Sequence, residues 1–168
     1  RYFQQYRPRR TMEFVWFGAE EKGLLGSRDY IRVHESELGA HRFNMNVDLA
    51  GQLIGGNVLG VTGEASVCDK LLEIADGTGI GASAKNQIWG SDSNSFAWKG
   101  IPAMTLNRDG FGMHTRYDTI DLLSAWSLER SAILLGCIAD ALGNAEVFPF
   151  EREMPEKFIR ELDEYMCR

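Results

Sequence analysis

The hydrophobic pattern of this chain changes repeatedly between two types. Short, nearly continuous apolar runs that end at glycine or at polar residues are typical of buried strands. Such runs predict strands over residues 13–18, 42–48, 57–61 and 101–106. Pro102 fits the last of these because it stands near the start of the strand.

Longer segments with apolar residues three and four positions apart predict helices over residues 24–31, 66–76, 91–99, 124–142 and 155–166. Ser124 can cap the longest helix, and Pro155 is typical of a helix start. We expect the buried stripe of the longest helix to include Leu128, Leu135 and Leu142. Strands that alternate with helices predict a three-layer α/β/α sandwich with a mixed, mainly parallel sheet.

Composition narrows the possible functions. The chain has 168 residues, 44% hydrophobic and 25% charged, which suits a single globular domain or part of one. Its 18 Lys and Arg against 24 Asp and Glu give a net charge of −6, which disfavours nucleic-acid binding. No apolar run is long enough for a transmembrane helix. We expect one domain over residues 1–168, in which residues 144–168 form an amphipathic helical extension.

The cysteines and the start of the chain bear on its origin. Cys68, Cys137 and Cys167 form a sparse, odd set without CxxC, which excludes a disulfide scaffold or a cysteine zinc site. Reduced thiols favour a cytoplasmic location for the protein, and secretion is kept as an alternative. The chain starts at Arg1 without an initiator Met or a signal-peptide pattern, so we expect a fragment of a longer protein. A sheet left uncovered by missing residues would favour homo-oligomers.

Ionisable residues follow three of the predicted strands. Glu20 and Glu21 follow the first, Asp48 follows the second, and His114 follows the last through the loop over residues 107–113. Ligands of α/β sheets bind beyond the carboxyl ends of strands. Two carboxylates and an imidazole suit zinc, and a second glutamate beside a ligand can take a proton from water. Taken singly, a solvated helix turn, a turn aspartate and a structural histidine would explain the same residues.

Four segments, in this order, carry a family resemblance. They are FVWFGAEEKGLLGS (residues 14–27), NVDLAG (46–51), SDSNSFAWKGIPA (91–103) and MHTRYDT (113–119). Together they resemble the M28-type zinc aminopeptidases, such as bacterial leucyl aminopeptidases, over residues 11 to about 142. The resemblance implies a zinc-exopeptidase fold and hydrolysis of the N-terminal bond of a peptide or amino-acid amide with a free α-amine. It also implies a co-catalytic site of two zinc ions.

The resemblance implies a role for each motif residue. Glu20 would be the general base, Glu21 and His114 would ligate one zinc, and Asp48 would ligate the second. Asp92, Thr115 and Asp118 occupy motif positions without a firm family role, and we expect them to support the ligands or cap helices.

The sequence departs from the family pattern in two respects. The family has two further ligands before the first strand, a His in a His-x-Asp segment and an Asp that bridges both metals. His34 and His41 lack this pattern. With three of five ligands, we expect this chain alone to bind one zinc or none and to be weakly active or inactive. Met113 also replaces a tyrosine that in some members stabilises the oxyanion.

Two alternatives remain open. A glutaminyl-cyclase-like acyltransferase would use a single zinc, with Asp48 as a catalytic acid. The Gly-Leu-Leu-Gly-Ser and Asn-Val-Asp runs favour the aminopeptidase. A non-catalytic, peptidase-like interaction domain is the second alternative, against which Glu20, Glu21, Asp48 and His114 all argue.

Overall fold

A computed structural model describes residues 1–108 and 110–167. Asp109, in the predicted loop before His114, and Arg168, at the end of the predicted extension, lie outside the described residues. The helices are α1 (Tyr2–Gln5), α2 (Leu25–Val33), α3 (Ala65–Gly77), α4 (Ser93–Ala97), α5 (Ala125–Asn144) and α6 (Glu156–Met166). The strands are β1 (Asn44–Val47), β2 (Asn57–Thr62), β3 (Ala82–Asn86) and β4 (Ala103–Arg108). Short 3-10 helices cover Glu20–Lys22, Glu35–Ala40 and Ile120–Leu122.

The four strands form one sheet in the order β1-β4-β2-β3. β1 pairs with β4 in parallel, β2 pairs with β3 in parallel, and β2 pairs with β4 in an antiparallel register. Two of these three pairings are parallel. The prediction of a mixed, mainly parallel sheet is therefore confirmed.

Helices cover both faces of the sheet, because the central strands are apolar on both sides. Leu59 and Leu106 face each other across β2 and β4, and both pack into one core with residues of α3 and α5. Ala103 points to the opposite face, where it packs with Phe158 and Leu162 of α6. α2 and α4 lie on that second face as well. The molecule therefore has the three layers that the sequence predicts.

The buried stripe of α5 differs from the predicted one. Ser124 does cap the helix, since its side chain accepts a hydrogen bond from the Ser127 backbone N–H. Leu128, however, is 47% exposed, and the buried face is made by Ser127, Ser131, Leu134, Ile138 and Leu142. The Ser131 hydroxyl donates to the Ala50 carbonyl at 2.8 Å. Leu142 is buried as predicted and Leu135 packs against the core. A stripe chosen by hydrophobicity alone therefore misses the small buried residues Ser127 and Ser131 and includes the exposed Leu128.

The strand predicted over residues 13–18 is wrong for the described chain. These residues form no ladder with any described strand, and Trp16 is 89% exposed. An apolar run becomes a strand only when a neighbour pairs with its backbone groups. Phe17 is the exception in this run, because it packs against Tyr30 and Phe96. Conversely, β3 was not predicted because its Ala-Ser-Ala-Lys-Asn sequence has no β-branched or aromatic residue.

Residues before the first motif pack on the end of α5. The Arg10 guanidinium donates to the carbonyls of Leu142 and Ala145, and it lies 5.3 Å from the ring centroid of Phe148. A cation that binds the last carbonyls of a helix satisfies otherwise unpaired acceptors and interacts favourably with the helix dipole. Arg10 therefore holds the segment before the first motif against the end of α5.

The last helix packs on its own chain. Phe158, Leu162 and Met166 of α6 are buried, and Trp98 Nε1 donates to Asp163 Oδ1 at 2.8 Å. The division of residues 1–168 into a domain and an extension at residue 144 stays a prediction. Within the described residues, no helix is both long and apolar enough to span a membrane. All three cysteines are free.

Candidate active site

The candidate site lies at the edge of the sheet where β1 and β4 end. Because these strands are parallel, their carboxyl ends meet at the same edge. Asp48 directly follows β1, and its backbone N–H donates to the Leu106 carbonyl of β4 at 3.1 Å. The segment that leaves β4 carries His114. Glu20 and Glu21 lie in the 3-10 turn that precedes α2. Three separate parts of the sequence are thus brought to one edge.

Glu21 and His114 are in direct contact. The Nε2 atom of His114 donates to Glu21 Oε1 at 2.6 Å across 93 positions of sequence. Both side chains are about two-thirds exposed, at 67% and 63%. The hydrogen bond to Glu21, followed by the charge of the same carboxylate, raises the pKa of His114. This contact joins the two residues for which the family resemblance implies a shared metal ion.

Three further carboxylates affect one another beside this pair. Partial burial, followed by the negative charges of Asp48, Glu21 and Asp92, raises the pKa of Glu20. Partial burial, followed by the charges of Asp92 and Glu21, raises the pKa of Asp48 even though its side chain keeps access to solvent. Burial alone raises the pKa of Asp92, which is 8% exposed. Such a concentration of mutually repelling acids is typical of a site for a cation.

Backbone strain is concentrated at the same site. Among the described residues, three that are not glycine have a positive φ: Ala19 at 57°, Leu24 at 59° and His114 at 59°. Ala19 and Leu24 flank the turn that carries Glu20 and Glu21. Left-handed backbone is unfavourable for residues with a Cβ, and such residues cluster at functional sites. The surrounding structure therefore holds Ala19, Leu24 and His114 in backbone conformations that are unfavourable for residues with a Cβ.

Asp92, Thr115 and Asp118, which we expect from the sequence to support ligands or cap helices, make different contacts in the structure. Asp92 is the N-cap residue of α4 but makes no side-chain cap bond, and its Oδ1 atom has no hydrogen-bond partner in the described chain. The Thr115 hydroxyl donates to the Gly112 carbonyl at 2.6 Å and accepts from the Tyr117 N–H, so it closes its own turn. Asp118 raises the pKa of His114 through its charge. Whether any of the three supports a metal ligand stays a prediction.

The sequence does not predict a buried network of hydroxyl groups that contacts Asp48. A hydrogen bond from Ser91 lowers the pKa of Asp48 against the effect of burial. Ser91 accepts from the Asn46 amide and lies 3.2 Å from the Thr105 hydroxyl, which is itself 2.7 Å from that of Ser93. The only signal in the sequence is the polar Ser-Asp-Ser-Asn-Ser run at the start of α4. It predicts burial only once α4 is known to pack on β1 and β4.

The residues present suit a metal chemically, but they do not form a complete cage. Oxygen and nitrogen donors of this kind are zinc ligands. In the described ranges 1–108 and 110–167, however, no three His, Cys, Asp or Glu side chains are grouped closely enough to hold a metal ion. Glu21 and His114 are in contact with each other, and their assignment as metal ligands, like that of Asp48, stays a prediction.

The raised acid pKa values predict an unusual pH dependence. An acid with a raised folded-state pKa contributes stability that is complete below its unfolded-state pKa and is lost as pH rises through the folded value. The free energy of unfolding of the metal-free protein should therefore increase as pH falls from neutral toward about 4, the ordinary pKa of an acid in the unfolded chain. Replacing Asp92 by Asn should raise stability at neutral pH and flatten this dependence.

Urea denaturation of metal-free protein across this pH range measures the effect. Asp69→Asn, at an exposed position of α3, is the matched control and should keep the slope of the original protein. An Asp92→Asn variant with that same slope would show that Asp92 carries no such penalty.

Comparisons with known proteins give the family. A sequence profile of Peptidase family M28 matches residues 1–136. Carboxypeptidase Q from Rattus norvegicus is 23% identical over 145 residues, which cover 83% of this chain and 30% of that protein. Aminopeptidase YwaD from Bacillus subtilis (strain 168) is 28% identical over 117 residues, or 69% of this chain and 22% of YwaD. BSAP, a zinc aminopeptidase from Bacillus subtilis, superposes with a TM-score of 0.65 at 25% identity, covering 85% of this chain and 38% of BSAP.

The fold and the site define a three-layer α/β domain with carboxylate and imidazole groups at the carboxyl edge of its sheet. This chain belongs to peptidase family M28. It spans 22% to 38% of the length of the relatives described above.

Proposed function

We propose that this chain forms part of the catalytic centre of a zinc-dependent aminopeptidase. The observation that carries the proposal is the contact between Glu21 and His114, beside Glu20 and at the sheet edge where Asp48 emerges. Membership of family M28 and the likeness to a zinc aminopeptidase support it.

Zinc is the metal that we propose for this site. Glu21 and His114 would hold one ion, and Asp48 would ligate the second ion of a complete two-zinc site. When bound, zinc acts as a Lewis acid toward the peptide carbonyl and makes nearby water more acidic. This chain has three of the five ligands that the family resemblance implies. We therefore propose that by itself it binds a single zinc and turns substrate over slowly.

Glu20 is the residue to which we assign proton transfer. It adjoins Glu21 in the same turn, so its carboxylate can face the reacting water while its neighbour binds metal. Burial and the neighbouring carboxylates raise its pKa, and a general base works best when its pKa approaches the working pH. Glu20 would take a proton from water as the water oxygen bonds to the carbonyl carbon. It would return that proton to the amine nitrogen as the C–N bond breaks.

The substrate that we propose is a peptide or amino-acid amide with a free α-amine. The carboxylates of Glu20, Glu21, Asp48 and Asp92 together outweigh the charge of one divalent ion, which favours a cationic α-ammonium over a C-terminal carboxylate. A cavity of about 240 Å³ beside Asp48, lined in part by Leu49, Leu123 and Leu128, favours an apolar first side chain.

Hydrolysis of leucine p-nitroanilide tests the proposed function. We expect slow release of p-nitroaniline that requires zinc and stops when a chelator removes it. N-acetyl-leucine p-nitroanilide, which lacks the free amine, is the matched control and should not be cleaved. Cleavage of the acetylated substrate at the same rate, or cleavage that survives complete removal of metal, would contradict the proposal.

A further inference from the structure

Arg108, the last residue of β4, is an arginine buried among neutral groups. It is 5% exposed. Its Nε donates to the Gln52 carbonyl at 3.0 Å, its Nη1 to Asn57 Oδ1 at 2.9 Å, and its Nη2 to the Gly55 carbonyl at 2.7 Å. No carboxylate of the described ranges 1–108 and 110–167 forms an ion pair with it. A buried charge is tolerated only with well-made hydrogen bonds, so the identity of its partners is informative.

Two of the acceptors, Gln52 and Gly55, lie in the connection between β1 and β2, which begins at Asp48, and the third, Asn57, is the first residue of β2. Residues 48–57 are called the Asp48 loop below. Asn57 stands opposite Arg108 in the register of β2 and β4, so the guanidinium reaches the end of the loop directly and its middle through Gln52. One side chain therefore fastens the Asp48 loop at three points.

The Asp48 loop is also bonded to the segment that carries His114. The Leu53 N–H donates to the Leu122 carbonyl at 2.7 Å, and the Ser124 N–H donates to the Gly51 carbonyl at 2.9 Å. These bonds lie between the loop and the connection from β4 to α5. The present shape of the Asp48 loop therefore places the donors and acceptors that join the two connections.

Side-chain packing reinforces this link. Gln52 is buried, at 4% exposure, and its side chain lies over Gly110. A Cβ atom at Gly110 would come within 2.6 Å of Gln52 Cδ, so a larger residue there would displace it. Arg108 holds the carbonyl of this same Gln52. The guanidinium thus supports the residue that contacts both connections.

We infer that Arg108 is a positioning residue, which fixes the placement of Asp48 relative to His114 by holding the Asp48 loop in shape. The inference rests on the proposed function, since the two residues matter together only if both are metal ligands. Arg108 touches neither of them and acts through the loop.

The geometry accounts for arginine at this position. Its planar fork presents several N–H groups in fixed directions and can reach three acceptors at once. Lysine keeps the charge but is a point donor on a flexible stem, and methionine fills similar space without any donor. A merely structural arginine is available for comparison: Arg10 also donates to two backbone carbonyls, at the end of α5 and outside the Asp48 loop.

The test compares Arg108→Met, Arg108→Lys and Arg10→Met in the full chain. Zinc affinity is measured by competition with a chromophoric chelator, and the exchange of the Leu53 and Ser124 amides is measured by NMR in metal-free protein. Both methionine variants should melt at lower temperature. Only Arg108→Met should bind zinc more weakly, by about tenfold, because the Asp48 loop is bonded to the connection that carries the ligand His114. The same variant should exchange both amides faster, and Arg108→Lys should recover part of each effect.

Several results would overturn the inference. Unchanged zinc affinity and unchanged exchange in Arg108→Met would do so, and so would equal losses in Arg10→Met. If Arg108→Met does not fold, the same comparison is made with Arg108→Lys. If the original protein binds no zinc, the proposed function fails, and the exchange of Leu53 and Ser124 decides on the role of Arg108 in the loop.

Discussion

Glu20→Gln is expected to lower the zinc-dependent hydrolysis of leucine p-nitroanilide about a thousandfold, within the range attributed to general acid–base catalysis. Glutamine keeps the size of the side chain but cannot accept a proton from water. Because Glu20 is not assigned as a ligand, zinc affinity should stay within a few-fold of the original. The rate and the affinity are measured on the same preparation.

Glu73→Gln is the matched control for this variant. Glu73 lies exposed on α3, where it pairs with Lys70 at 2.7 Å, and its substitution should leave both measurements unchanged. A Glu20→Gln variant that keeps the original rate would remove Glu20 from the mechanism. A variant that loses zinc as well as activity would instead identify Glu20 as a ligand.

His114→Ala is expected to weaken zinc binding by about a hundredfold or more, beyond the 10- to 100-fold effect of losing a group that only supports a ligand. The side chain is 63% exposed and its contact is to Glu21. Its removal should therefore cost little stability, so the lost affinity would report the ligand itself. Competition with a chromophoric chelator measures the affinity, and thermal melting checks the fold.

His34→Ala is the control for the histidine. His34 pairs with Glu37 at 3.2 Å, in an arrangement similar to that of His114 with Glu21, but it lies at the end of α2. Its substitution should leave zinc affinity unchanged. Equal affinity in His114→Ala and in the original protein would exclude His114 from the metal site.

Much of the fold could be predicted from local patterns. The strands near residues 44, 57 and 103 and the helices α3, α5 and α6 follow from apolar periodicity, capping residues and helix-stopping glycine. Local patterns do not predict β3, because its residues have low strand preference. It is a strand only through its pairing with β2. The run over residues 13–18 has strand composition without a described partner. In both cases the outcome depends on a neighbour that the local sequence does not encode.

The candidate site, like the fold, is predicted by the sequence only in part. The place of His114 could be expected, because it follows a strand whose carboxyl end lies at the predicted ligand edge. The same argument fails for Glu21, because residues 13–18 form no described strand, and only the family resemblance implies its proximity to His114. The support of Asp48 by Ser91, and of its loop by Arg108, depends on the registers between β1, β2 and β4. A serine in a polar run and an arginine after a strand are ordinary features until those registers place them beneath the site.

A crystal structure of the zinc-loaded protein, with anomalous differences recorded on both sides of the zinc absorption edge, decides whether Glu21 and His114 hold zinc. We expect one zinc peak, about 2.0–2.2 Å from His114 Nε2 and from a carboxylate oxygen of Glu21. Asp48 should face that peak from the same edge of the sheet. A peak at a cysteine or at His34, or no zinc peak near His114 in zinc-saturated crystals, would exclude the proposed metal centre.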